Sequence, residues 1–104
     1  MRIAFTFRHL ESSESMKGYA SDKIGKLQKY LHGPMEATVT FSLERHLQCV
    51  DLSIHAAGET YLGREEQEDM YASIDLVVDK VRQQIRRSKD VHAQHRREVV
   101  TPGE

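Results

Sequence analysis

Apolar and polar residues alternate over residues 2–8, with Ile3, Phe5 and Phe7 facing one way and Arg2, Ala4, Thr6 and Arg8 the other. A period of two predicts a strand with one buried face. Capping residues crowd positions 11–15, and from there Met16, Ala20, Ile24, Leu27 and Leu31 recur at helical spacing until Gly33 and Pro34. This predicts a helix of about five turns. Alternation resumes over residues 37–43, where Val39, Phe41 and Leu43 are apolar, and over residues 50–56, where Val50, Leu52, Ile54 and Ala56 are. The two runs predict a hairpin turning near residues 45–48, and the Gly58-Glu59 turn leads to a fourth strand over residues 60–64, weakened by Gly63.

The acidic stretch Glu65, Glu66, Gln67, Glu68 and Asp69 reads as a loop before a second helix, whose apolar stripe is Met70, Ile74, Val77, Val78, Val81 and Ile85. Apolar periodicity lapses after Lys89, so residues 1–90 are expected to form the folded domain and residues 91–104 a flexible C-terminal tail. The order is β-α-β-β-β-α, an α+β class. Each clear strand has one apolar face, so both helices are expected to pack on one face of a four-stranded sheet. Strands one and two, joined by a helical crossover, are expected to run parallel and the other pairs antiparallel.

With 104 residues the chain holds one core, and 38% hydrophobic with 30% charged residues is ordinary for a globular domain. Cys49 is the lone cysteine, so no intramolecular disulfide is expected. The N-terminal residues alternate rather than resembling a signal peptide, and no apolar run approaches the roughly 20 residues of a membrane span. A cytoplasmic protein with no membrane partner is the expectation.

The formal net charge of -1 argues against a nucleic-acid partner until it is resolved along the chain. Residues 1–79 hold 8 Lys and Arg against 13 Asp and Glu, whereas residues 80–104 hold 7 against 3. On the second helix Lys80 and Arg87 fall on nearly one line beside the apolar stripe, with Arg82, Arg86 and Lys89 on the far flank behind Asp75 and Asp79. If the helices lie side by side, Lys23 and Lys26 of the first would join Lys80 and Arg87 in one stripe suited to a phosphate backbone. Acids early and bases late in a helix also satisfy its dipole on an ordinary solvated face, so pattern alone leaves both readings open.

Other chemistry finds less support. His92 and His95, and His46 with Cys49, are each spaced by three, but a closed zinc site needs four ligands, so no metal is expected. No glycine-rich phosphate loop or nucleophile elbow is present, and Cys49 has only strand neighbours, so no catalytic residue, small-molecule substrate or cofactor is assigned. Tyr19, Tyr30, Tyr61 and Tyr71 suit either base stacking or the edge of the core.

The stretch Glu66-Gln67-Glu68-Asp69-Met70-Tyr71-Ala72-Ser73-Ile74-Asp75, followed by Val78-Asp79-Lys80-Val81 and Gln84, closely resembles the signature of the bacterial ribosome hibernation factors. This is the family of hibernation promoting factors and ribosome-associated inhibitors, earlier named for modulation of a sigma factor. Ser21-Asp22-Lys23-Ile24-Gly25-Lys26-Leu27 and Tyr30 resemble its first helix, and the likeness runs over about residues 2–90. It implies a fold like that of double-stranded RNA-binding domains. The implied function is translational silencing in stress or stationary phase, by binding 16S rRNA of the small (30S) subunit within the 70S ribosome, in the mRNA and tRNA channel near the decoding region. Carried over by position, the rRNA-binding residues are Lys23, Lys26, Lys80, Arg82, Arg86, Arg87 and Lys89, with Lys17 and Arg64 peripheral. Arg82 stands one place from the family's usual basic position, here Gln83. Long members add a dimerisation domain, and the chain is expected to be a short form lacking it. The other reading, from the old family name, is a protein-interaction regulator that offers the acidic loop to a basic partner such as a sigma factor.

Overall fold

The computed structural model describes residues 1–100, with side chains described through Ser88. Strand β1 (Arg2–Arg8) is followed by helix α1 (Glu14–Gly25), which continues as a 3-10 segment (Lys26–Tyr30). Strands β2 (Met35–Glu44), β3 (Leu47–Ala56) and β4 (Glu59–Gln67) come next, and helix α2 (Met70–Val100) closes the order. The sheet order is β1-β2-β3-β4, with β1 parallel to β2 and the other pairs antiparallel, as the alternation and the crossover require.

Local chemistry sets each element. Ser13 caps α1, its Oγ accepting the Met16 N–H at 3.2 Å, and Met16, Ala20 and Ile24 then return to the buried side every fourth residue. Ala57 and Gly58, both at positive φ, close the two-residue turn between β3 and β4, the mirror-image geometry that matches strand twist. Asp69 Oδ2 accepts the Ala72 N–H at the start of α2, and buried Ser73 donates its hydroxyl to the Gln48 carbonyl at 2.7 Å, tying the helix to β3.

Register places Ile3, Phe5 and Phe7 beside Ala37, Val39 and Phe41, and those beside Ile54, Leu52 and Val50. These rows face α1 and α2 and form one core with Ile24, Leu27, Ile74, Val81 and Ile85. Phe7 stacks on Phe41 with ring centroids 4.9 Å apart. The opposite rows, including Thr38, Thr40, Asp51, Ser53, Leu62 and Arg64, form an uncovered sheet face.

Four expectations are corrected. The first helix is not five α-helical turns, because it tightens to 3-10 geometry at Lys26. The fourth strand is longer than residues 60–64, and the acidic loop at 65–69 does not exist as such: Glu65, Glu66 and Gln67 belong to β4. Gly63 does not weaken that strand so much as admit α2, since a Cβ there would sit 3.0 Å from Val81 Cγ2 and 3.2 Å from Val77 Cγ2. The lapse of periodicity after Lys89 does not end the second helix, whose backbone runs to Val100. Residues 101–104 of the expected tail, and its side chains, lie outside the described residues.

Candidate nucleic-acid interface

Helices α1 and α2 lie side by side on the sheet, and their facing flanks bound a groove of about 220 Å³ lined by Lys23, Lys26, Leu27, Lys29, Tyr30, Asp75, Val78, Asp79 and Arg82. It is smaller than the roughly 300–1,000 Å³ of an enclosed small-molecule pocket, and four cations share its walls with two carboxylates. Leu27 and Val78 are buried beneath it, so the floor is firm and only the charged ends are free to adapt.

The 3-10 segment explains one wall. At three residues per turn, side chains three apart eclipse, so Lys26 and Lys29 project along one line into the groove. An α-helical phase would turn Lys29 away from it, to the side opposite the Ile24 and Leu27 stripe. Lys29 Nζ also lies 5.2 Å from the centroid of the Tyr30 ring.

The opposite wall is the Asp75, Asp79 and Arg82 flank of α2. Lys23 Nζ lies 3.4 Å from Asp75 Oδ1, and the Tyr19 hydroxyl donates to the same oxygen at 2.7 Å. That hydrogen bond, followed by desolvation, pushes the Tyr19 phenol above its ordinary pKa. Tyr71 meets Tyr19 edge to face at 5.0 Å, completing a clasp between the helices. Arg82 pairs with Asp79, which also accepts from Gln83 Nε2 at 2.9 Å. Arg82 Nε is shielded from solvent and has no hydrogen-bond partner among the described residues.

The expected stripe of Lys23 and Lys26 with Lys80 and Arg87 does not form. By helical phase Lys80 and Arg87 lie about 120–160° around α2 from the Asp75 and Arg82 line. Lys80 points to β4 instead, its Nζ 2.6 Å from Glu65 Oε2 and donating to the Arg64 carbonyl at 3.1 Å. Two residues along β4, Gln84 accepts the Leu62 N–H and donates to the Leu62 carbonyl. Lys80 and Gln84 thus occupy outward backbone groups of an edge strand, where an unpaired edge invites association. The α2 cation that does join Lys23 and Lys26 is Arg82.

Arg86 and Arg87 are exposed, and with Lys26 they make no ion pair among the described residues. The side chain of Lys89 lies outside the described residues. The two peripheral candidates are elsewhere. Lys17 pairs with Glu14 and lies about 6 Å from the Phe5 and Phe7 rings, within cation–π reach. Arg64 is on the uncovered sheet face, where Asp51 at 2.6 Å, Glu66 at 2.9 Å and Glu44 at 3.2 Å surround it. The bonds to Glu66 and Asp51 hold its guanidinium even more firmly charged than usual.

Glu44, Cys49 and Glu66 place their donor atoms within 4.8 Å of one another, the one such potential metal set among the described residues. Arg64 already pairs with both carboxylates, and burial pushes the Cys49 thiol up while its hydrogen points to the Leu47 carbonyl. This chemistry favours a protonated thiol over a thiolate ligand. His46 takes no part in the set.

The sequence model described as Sigma 54 modulation protein / S30EA ribosomal protein matches residues 3–92. A ribosome hibernation promoting factor of Salmonella typhimurium is 30% identical over 95 residues, covering 91% of this chain and 100% of the relative. A ribosome hibernation promotion factor of Lactococcus lactis is 32% identical over 107 residues, covering 98% of this chain and 58% of that longer protein. Among solved structures, the N-terminal domain of Thermus thermophilus Protein Y superposes with a TM-score of 0.77 at 28% identity, covering 84% of this chain and 98% of that domain.

Proposed function

This chain belongs to the Sigma 54 modulation protein / S30EA ribosomal protein family, and from that premise we propose that it is a ribosome hibernation factor acting in the cytoplasm. It binds 16S rRNA of the small subunit in the mRNA and tRNA channel near the decoding region, inhibits translation and keeps ribosomes inactive. The observation that carries this reading is the groove between α1 and α2, where Lys23, Lys26, Lys29 and Arg82 outnumber Asp75 and Asp79 on a buried floor.

The mechanism is occlusion. Guanidinium and ammonium groups at the groove and on α2 engage phosphates of a structured RNA surface, mostly by charge and shape. The uncovered sheet face sets Arg2, Arg8 and Arg64 against Glu36, Glu44, Asp51 and Glu66 and carries no surplus positive charge, so the domain enters a strongly negative channel helices first. Lys23, Lys26, Arg82, Arg86 and Arg87 are the primary contacts; Lys80 contributes to the seat of α2 on β4 as well as to the field. No reaction is assigned to the chain, in keeping with a family of non-catalytic ribosome-associated factors.

The test is sedimentation of purified protein with vacant small subunits through a sucrose gradient, alongside translation in vitro. The protein is expected to travel with the subunits at low salt, leave them as salt rises, and suppress translation. Protein that stays at the top of the gradient at low salt would refute the reading. A reading as a sigma-factor modulator is less favoured, because Glu65 and Glu66 are strand residues already engaged by Lys80 and Arg64.

A further inference from the structure

A groove shaped for phosphates gains nothing obvious from carboxylates, yet Asp75 and Asp79 line it beside four cations. Helix-dipole complementarity does not account for them, because that effect fades within the first turn and both lie beyond the first turn of α2. Their partners are specific: Asp75 holds Lys23 across the helix interface and Asp79 holds Arg82. Asp75 is itself oriented by the Tyr19 hydroxyl at 2.7 Å.

Resting on the ribosome-binding reading, we propose that Asp75 and Asp79 are specificity-determining residues, internal anions that occupy Lys23 and Arg82 until a rigid RNA surface displaces them. An intramolecular carboxylate competes at a high effective concentration against an incoming phosphate. A loose polyanion reaches few cations at once and does not recover the cost of breaking those pairs. A folded rRNA surface presents several phosphates together, engaging Lys26, Lys29, Arg86 and Arg87 in the same event, and so offsets the exchange. The unpartnered Nε of Arg82 fits a side chain whose pairing with Asp79 leaves hydrogen-bonding capacity unused. Discrimination against unstructured RNA is then built by adding repulsion as well as attraction.

The experiment measures affinity for a fluorescent oligouridine and for vacant small subunits over a range of salt, using Asp75→Asn, Asp79→Asn and the double variant. Asparagine at 75 keeps an oxygen to accept from Tyr19, and thermal melts establish which variants are folded, with Asp79→Asn serving should Asp75→Asn not fold. Glu36→Gln, on the uncovered sheet face, makes the same change in net charge away from the groove. Each groove substitution is expected to raise oligouridine affinity about two- to fivefold, the range of a half-exposed ion pair. Small-subunit affinity should rise less, so that the ratio between the two ligands falls, and Glu36→Gln should move neither. The proposal is overturned if the groove variants gain no more oligouridine affinity than Glu36→Gln, or if both ligands gain equally. Failure of the unaltered protein to bind small subunits would instead sink the ribosome reading; the comparison with Glu36→Gln on oligouridine would still decide whether the two acids mask the groove.

Discussion

Two charged clusters lie on opposite faces of this domain, and they differ in balance rather than in kind. On the uncovered sheet face Arg64 is ringed by Glu44, Asp51 and Glu66. Between the helices Lys23, Lys26, Lys29 and Arg82 meet only Asp75 and Asp79. The first cluster is closed: its cation is fully engaged and a further anion meets surplus negative charge. The second retains positive charge that its own acids do not neutralise. Locating a polyanion site therefore depends on which cations are left over, and a basic residue near a family motif is informative only once its partners are known.

Neighbouring residues of β4 serve both faces, which gives a way to disturb each separately. Gly63 faces α2 at a distance that excludes a Cβ, so Gly63→Val is expected to lift α2 from the sheet and cost about 1–3 kcal/mol of stability, measured by chemical denaturation. Because α2 carries one wall of the groove, ribosome binding should weaken with it. A variant as stable as the parent would show that the close approach is not needed.

Arg64→Met removes the cation from the closed cluster and leaves three half-exposed carboxylates facing one another. The expected loss is about 1 kcal/mol, limited by solvent screening, with little change in ribosome affinity. A large fall in ribosome affinity with stability intact would make the sheet face part of the interface.

The smallest effect concerns the clasp between the helices. Tyr19 has a raised pKa in the folded protein, so the unfolded chain loses its phenolic proton first as pH climbs past the ordinary tyrosine value of 10.0. The clasp's contribution is complete below that pH and is lost as pH rises through the folded pKa. Thermal melts at rising alkaline pH should show a shallower decline for Tyr19→Phe than for the parent. Parallel declines would mean that the bond to Asp75 contributes nothing to stability.

Much of this fold was legible because its strands alternate cleanly. Phe5, Val39 and Leu52 stand at the positions that the period of two requires, and the core follows from them. The end of β4 was not legible, because Glu65 occupies the inward row after Tyr61 and Gly63, where a carboxylate breaks the pattern. Its partner Lys80 comes from α2, 15 positions away and invisible to local periodicity. The groove was half legible. Lys23 and Lys26 followed from the family motif, but Lys29 depended on a 3-10 turn that no apolar spacing signals. The separation of Lys80 from Lys23 depended on which flank of α2 faces α1, a property of packing rather than of helical phase.

As proposed, the groove between the helices, and not positive charge in general, holds the ribosome. Two charge-matched variants test it: Lys26→Glu with Arg82→Glu in the groove, and Arg2→Glu with Arg8→Glu on the uncovered face of β1. Both change net charge equally, so long-range attraction falls alike. Binding to vacant small subunits at fixed salt should fall about 100-fold or more for the groove pair and stay within about threefold for the β1 pair. Equal losses, or a greater loss for the β1 pair, would rule out the groove as the ribosome contact.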